Sequence, residues 1–215
     1  MISVIVLDVD GPLLDTRRRH YQCYCDILRQ CKLTPIPFRE YWRLKRCRTD
    51  LVEVLSRSNG LHECDKFRTI WQQRIETRKY LALDRLQPRI KVILKGWKQI
   101  GIRILLATQR NHVNNLHWQL HRLGIAEWPD AIVVTGSGRS GAEKAQAIRP
   151  LLATEQKSTI LWVGDTEVDI QAARVLGVKM CAVTCGLRNR RILDSEHPDI
   201  LEKNISTLAS RLCGT

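Results

Sequence analysis

No stretch of the chain approaches the roughly 18 consecutive apolar residues that a membrane-spanning helix needs, so no membrane partner is expected. The eight cysteines (Cys23, Cys25, Cys31, Cys47, Cys64, Cys181, Cys185 and Cys213) form no Cys-x-x-Cys pair. A zinc site is therefore not expected, and reduced thiols of a cytosolic protein fit better. The start of the chain lacks a basic segment followed by an apolar one and a small-residue cleavage site. Met1 runs straight into an apolar stretch, so the expectation is no signal peptide and a cytoplasmic location. There is no internal repeat and no low-complexity segment. Acidic residues are the scarce charge: 22 Asp and Glu stand against 35 Lys and Arg, a net +13. Such an excess suits nucleic acid, an anionic surface or phosphorylated small molecules. The densest basic runs, Arg17–Arg19, Arg43–Arg48 and Arg188–Arg191, are not interleaved with aromatics as base stacking requires. Nucleic acid is thus not the expected partner, and steeply salt-dependent binding to DNA or RNA would be its mark.

What is present is 215 residues with a 44% hydrophobic share, enough for an ordinary buried core plus an insert. Residues Ile2–Leu7 form a β-branched apolar run that reads as a buried strand. Only helices are predicted after it as far as Tyr80. One runs from Arg17 to Cys31 behind an Asp15 or Thr16 cap, and one from Phe38 to Arg46 behind Pro37. A third, capped by Thr49 or Asp50, carries Leu51, Val54 and Leu55 and stops at Ser58-Asn59-Gly60; a fourth spans Glu63 to Tyr80. From Pro88 the pattern alternates. Helices are predicted at 90–100, 112–123, 142–152 and 168–176, and strands at 102–107, 131–134, 159–163 and 179–183. A short strand and a closing helix follow within 198–212. This predicts an α/β fold: a doubly wound, Rossmann-like parallel sheet from residues 1–15 and 86–215, with an inserted all-helical cap at 16–85.

Open parallel sheets bind ligands at the carboxyl ends of their strands. Asp8 and Asp10 stand two positions apart at the end of the first strand, ahead of Gly11. Thr108 and the amides of Gln109 and its loop end the second strand and make an anion cradle. The Gly-rich loop Thr135–Lys144 follows the third strand and sets a lysine in the first turn of a helix, against the dipole, where a partner anion is expected. The fourth strand ends in Gly164-Asp165-Thr-Glu-Val-Asp169. Asp169 can pack into the first helical turn; Asp165, at the tip, is harder to explain structurally. Like charges ~4 Å apart cost on the order of 4 kcal/mol at a surface-like dielectric. A hard divalent cation removes that cost, and Mg²⁺ is usually held by one or two carboxylates with waters and a phosphate oxygen. The acids therefore predict a Mg²⁺ site with room for a phosphoryl group, whose other oxygens Thr108 and Lys144 would hold.

The ordered set Asp8-x-Asp10-Gly11, Thr108, Lys144 and Gly164-Asp165-x-x-x-Asp169 resembles the haloacid dehalogenase-like hydrolase superfamily. The helical insert resembles the subfamily typified by phosphoglycolate phosphatase and β-phosphoglucomutase, and the likeness covers nearly the whole chain. It implies a Mg²⁺-dependent phosphatase of a small phosphorylated metabolite, working as monomer or homodimer. It implies Asp8 as nucleophile forming an aspartyl-phosphate and Asp10 as general acid, then base. It also implies Mg²⁺ on the Asp8 carboxylate, the Asp10 backbone carbonyl and Asp165, with Asp169 acting through water or supporting the loop. Thr108, Gln109 and Lys144 would hold the phosphoryl group.

Two departures from the family pattern stand out. Pro12 follows the glycine where the family has a small or β-branched residue. Ala145 follows Lys144 where proline is usual, and Arg139 is an alternative phosphate-binding cation. In the cap, Trp42–Arg48 gathers cations, of which Lys45 and Arg48 are candidates for substrate contact. Asp10 argues against dehalogenase chemistry. Two alternatives remain open at this point. One is a phosphomutase of the β-phosphoglucomutase type. The other is a non-catalytic, regulatory phosphate-binding protein, against which the intact Asp8, Asp10 and Asp165 speak.

Overall fold

The computed structural model describes residues 1–213. β1 (Val4–Leu7) consists of four buried residues. Val4 and Val6 enter one apolar cluster and Ile5 and Leu7 the other, the period of two expected of a strand covered on both faces. Gly11, at φ +110°, then turns the chain into the two-residue strand β2 (Leu14–Asp15).

The inserted segment is helical throughout: α1 (Arg17–Gln30), α2 (Phe38–Arg46), α3 (Leu51–Ser56), α4 (Cys64–Arg74) and α5 (Arg78–Leu81). Residues Thr16–Asp84 form one compact unit with its own core. Tyr24 stacks on Tyr41 with ring centroids 4.5 Å apart, and Leu28, Leu44, Leu55 and Phe67 close around them. Buried Arg19 pairs with buried Asp84 at 3.3 Å. The Asp50 carboxylate caps α3 by accepting from the Val52 N–H. The single helix expected over 63–80 is broken. Thr77 is extended and its hydroxyl donates to the Arg74 carbonyl, so the backbone leaves the helix and restarts as α5.

β3 (Arg85–Leu86) returns antiparallel to β2, with Leu14 opposite Leu86 and Asp15 opposite Arg85. Arg85 therefore belongs with the second compact unit, residues 1–15 and the described residues from Arg85 onward. There follow α6 (Ile90–Gln99), β4 (Arg103–Thr108), α7 (Val113–Leu123), β5 (Ala131–Val134) and α8 (Gly141–Ile148). Then come β6 (Ile160–Gly164), α9 (Glu167–Leu176), β7 (Lys179–Val183), α10 (Arg190–Asp194), β8 (Ile200–Glu202) and α11 (Ile205–Cys213). The six main strands are all parallel, in the order β5-β4-β1-β6-β7-β8. Sequence direction reverses at β1, which makes the carboxyl end of β1 the switch point where such sheets bind ligands.

The sheet is doubly wound. Ile93 and Trp97 of α6, Leu116 and Leu120 of α7 and Leu208 of α11 pack with Ile5, Leu7, Ile104 and Val163. Ala145 and Ile148 of α8 and Ile170 and Ala173 of α9 pack with Val4, Val6, Leu105 and Trp162. β4 and β6 each run one residue further than expected, so Thr108 and Gly164 are the last residues of their strands. The helix expected to reach Leu152 tightens into a 3₁₀ turn at Arg149–Leu152, where Pro150 has no N–H to donate. Among the described residues no helix is long and apolar enough to cross a membrane.

Candidate active site

Asp8 directly follows β1, and its N–H donates to the Val163 carbonyl at 2.9 Å, continuing the ladder with β6. Its carboxylate meets Lys144, on α8, whose Nζ donates to Asp8 Oδ1 and to Asp169 Oδ1, each at 2.7 Å. Lys144 is 1% exposed, so a lysine placed against a helix dipole has found its anions in the core. Asp169 sits three residues past Thr166 in a capping box: its Oδ2 accepts from the Thr166 hydroxyl and N–H. The Trp162 indole N–H donates to its Oδ1 at 3.3 Å. Asp169 is thus both a helix cap and the second anion of the lysine.

Asp165 is fully buried beyond the tip of β6. The Leu187 N–H donates to its Oδ2, while its Oδ1 has no hydrogen-bond partner among the described residues. Two glycines make room for it. A Cβ on Gly11 would lie 2.4 Å from its carboxyl carbon, and one on Gly186 would lie 1.9 Å from its Oδ2. The carboxylates of Asp8, Asp165 and Asp169 offer oxygens within 4.8 Å of one another. Of these three buried acids, Asp8 and Asp169 share Lys144, and Asp165 is bonded only by the Leu187 N–H among the described residues. Burial pushes the Asp8 pKa up to about 7, with Lys144 opposing and Asp169 and Asp10 adding to the rise. Burial, then Asp8 and Asp169, hold Asp165 well above the usual carboxylate range. Burial works against charge on Lys144, but Asp169 and Asp8 more than offset it, so the ammonium titrates above its ordinary value. All-oxygen donors, an excess of buried negative charge and an orphaned carboxylate oxygen together fit a hard divalent cation.

Asp10 stands apart from that group. Its carboxylate is gripped by Arg110, whose Nε donates to Oδ2 at 2.8 Å and whose Nη2 donates to Oδ1. Thr108 is buried at the end of β4, and its carbonyl accepts from the Thr135 N–H. The Gln109 side-chain amide donates to the Arg139 carbonyl, so it tethers the Gly-rich loop rather than facing the acids. Arg139 itself pairs with Glu143 at 2.7 Å on the surface; of the two candidate cations it is Lys144 that touches Asp8.

Sequence reasoning missed Arg110, the Leu187 N–H and the Trp162 indole. A glycine shortly after β7, at Gly186, was the one signal for the second of these.

The model of the haloacid dehalogenase-like hydrolase family matches residues 2–177. A phosphoglycolate phosphatase of Synechococcus elongatus is 26% identical over 211 residues, covering 96% of this chain and 95% of that one. A haloacid dehalogenase-like family hydrolase from Streptococcus pneumoniae superposes with a TM-score of 0.74 at 20% identity, over 97% of this chain and 98% of that one. Protein tyrosine kinase A of Mycobacterium tuberculosis reaches 0.76 at 19% identity, over 98% of each chain. These superpositions speak for the fold alone. With the family matched from β1 through α9, on the strands and helices that carry Asp8, Thr108, Lys144, Asp165 and Asp169, the chain belongs to the haloacid dehalogenase-like hydrolases.

Proposed function

We propose that the enzyme is a Mg²⁺-dependent phosphatase that hydrolyses a small phosphorylated metabolite through an aspartyl-phosphate on Asp8. The observation that carries this reading is the buried cluster of Asp8, Asp165 and Asp169, two of them bonded to Lys144, at the switch point of the sheet. In this reading a carboxylate oxygen of Asp8 attacks phosphorus and the bond from phosphorus to the ester oxygen breaks. Asp10 gives its proton to the departing oxygen, then takes one from the water that attacks the acyl phosphate, releasing phosphate and restoring Asp8. Lys144 fixes the Asp8 carboxylate and balances charge on the phosphoryl oxygens, with the Thr108 hydroxyl and the backbone N–H of Gln109 as further donors. Mg²⁺, held by the Asp8 carboxylate, the Asp10 backbone carbonyl and Asp165, with Asp169 through water or as support, would neutralise the acids and the phosphoryl charge.

The name of the Synechococcus relative points to a small phosphorylated acid as the substrate class. In this reading the inserted unit, Thr16–Asp84, is the cap that selects the substrate and excludes water, with Lys45 and Arg48 as contacts to an acidic group. The enzyme works in the cytoplasm as a monomer or homodimer. The test is release of inorganic phosphate from a panel of phosphorylated metabolites, 2-phosphoglycolate included, with Mg²⁺ and with EDTA. Turnover that needs Mg²⁺ and vanishes in Asp8→Asn is expected. Undiminished turnover in EDTA or in Asp8→Asn would overturn the reading.

A further inference from the structure

The loop after β4 has an alternating arrangement that none of the roles above uses. Gln109 and Asn111 both reach the Gly-rich loop: Gln109 donates to the Arg139 carbonyl, and Asn111 exchanges hydrogen bonds with the Ser137 N–H and hydroxyl at 2.9 Å. Arg110, between them, points the other way. It is 3% exposed, and its guanidinium meets Asp10 as a fork, one nitrogen to each carboxylate oxygen. The fork is backed from α7, where the fully buried Gln119 side-chain oxygen accepts from Arg110 Nη2 at 3.1 Å. An arginine is expensive to bury, and a fixed two-pronged grip is what guanidinium offers beyond lysine. The grip fixes the plane of the Asp10 carboxylate from two elements at once, through the β4 loop and α7. A carboxyl group that must meet a departing oxygen depends on that orientation more than on contact strength.

Resting on the phosphatase reading, we propose that Arg110 is a positioning residue, held by Gln119, which aims the Asp10 carboxyl at the leaving oxygen of the phosphate ester. Asp10 donates the proton as the bond from phosphorus to oxygen breaks; Arg110 touches neither substrate nor phosphorus. The consequence is selective. An alkyl phosphate, with a poor leaving oxygen, depends on proton donation. p-Nitrophenyl phosphate, whose leaving oxygen departs readily unprotonated, does not.

The experiment compares kcat/KM, which reports the steps through loss of the leaving oxygen and not the later hydrolysis of the shared aspartyl-phosphate, on p-nitrophenyl phosphate and on an alkyl phosphate turned over by the wild type. The variants are Arg110→Ala, Arg110→Lys, Gln119→Leu, Asp10→Asn and the double variant Asp10→Asn/Arg110→Ala. General acid catalysis contributes about 10²–10⁴-fold, so Arg110→Ala is expected to lose on the order of 10²-fold on the alkyl phosphate and under about threefold on p-nitrophenyl phosphate. Arg110→Lys, which cannot form the fork, is expected to recover little. Gln119→Leu should show the same selectivity more weakly, and it carries the comparison if Arg110→Ala does not fold. In the Asp10→Asn background Arg110→Ala is expected to cost nothing more on the alkyl phosphate. Equal losses on both substrates in folded variants, no loss on either, or full additivity with Asp10→Asn would each overturn the positioning role. A wild type that releases phosphate from neither substrate would instead overturn the phosphatase reading beneath it.

Discussion

Lys144 is where the charge balance of the site is decided. Among the described residues it is the only cation bonded to the three clustered acids, and it holds two of them. Breaking a buried ion pair by removing one partner costs about 3 kcal/mol or more, because the other charge is stranded. Lys144→Met is therefore expected to lose about that much in urea unfolding measured in EDTA. Adding Asp169→Asn should return part of it by removing one stranded charge. Asp165→Asn should act with the opposite sign. Its carboxylate is buried, its Oδ1 is unbonded and its acid neighbours disfavour ionisation. In EDTA at neutral pH the variant is expected to gain on the order of 1 kcal/mol, the scale of a single pKa unit, while losing stabilisation by added Mg²⁺. A destabilised Asp165→Asn that still responds to Mg²⁺ would contradict the assignment. At this scale the sequence was partly legible. Lys144 stood out because it opposes a helix dipole, and the carboxylates stood out by their spacing. Arg110 did not, because nothing in Gln109-Arg110-Asn111 says which of three polar side chains turns inward.

Among the elements, the strand ends owe their placement to polar side chains outside the site. Asp130, just ahead of β5, accepts from the Ile104 N–H of β4 at 2.8 Å and from Lys98 of α6. Burial raises its pKa, but the Lys98 and Ile104 bonds outweigh it, and the group titrates below the usual carboxylate range. A depressed pKa in the folded state means stability that is present above the unfolded value of about 3.9 and lost as pH falls through the folded one. Asp130→Asn should cost about 1 kcal/mol at neutral pH, and the gap to wild type should narrow below about pH 4. A gap that stays constant down to acid unfolding would contradict the role given to Asp130. Apolar period and glycine or proline punctuation foretold most elements. The failures were local. Thr77 diverts the backbone at a place where the apolar spacing of Phe67, Ile70, Trp71 and Ile75 reads as one helix, and the β2–β3 pair is too short to carry a period.

For the molecule as a whole, the doubly wound order was legible because each strand shows opposite residues to two apolar clusters, and each helix between them shows one face. Topology then carried Asp8, Thr108 and Asp165 to one edge of the sheet, and the α8–α9 layer brought Lys144 and Asp169 to the same place. Sequence alone could not say which acids would be dry or how many would share the lysine, since burial is a property of the assembled layers. The net charge of +13, the most conspicuous number in the composition, proved the least informative about the site, where the imbalance is negative. The central claim is that Asp8 carries the phosphoryl group during turnover. The direct measurement is mass spectrometry of the enzyme acid-quenched during Mg²⁺-supported turnover. The expected result is one phosphoryl group on the peptide containing Asp8, absent in EDTA and in Asp8→Asn. Steady phosphate release with that peptide never modified, and Asp8→Asn as active as the wild type, would contradict it.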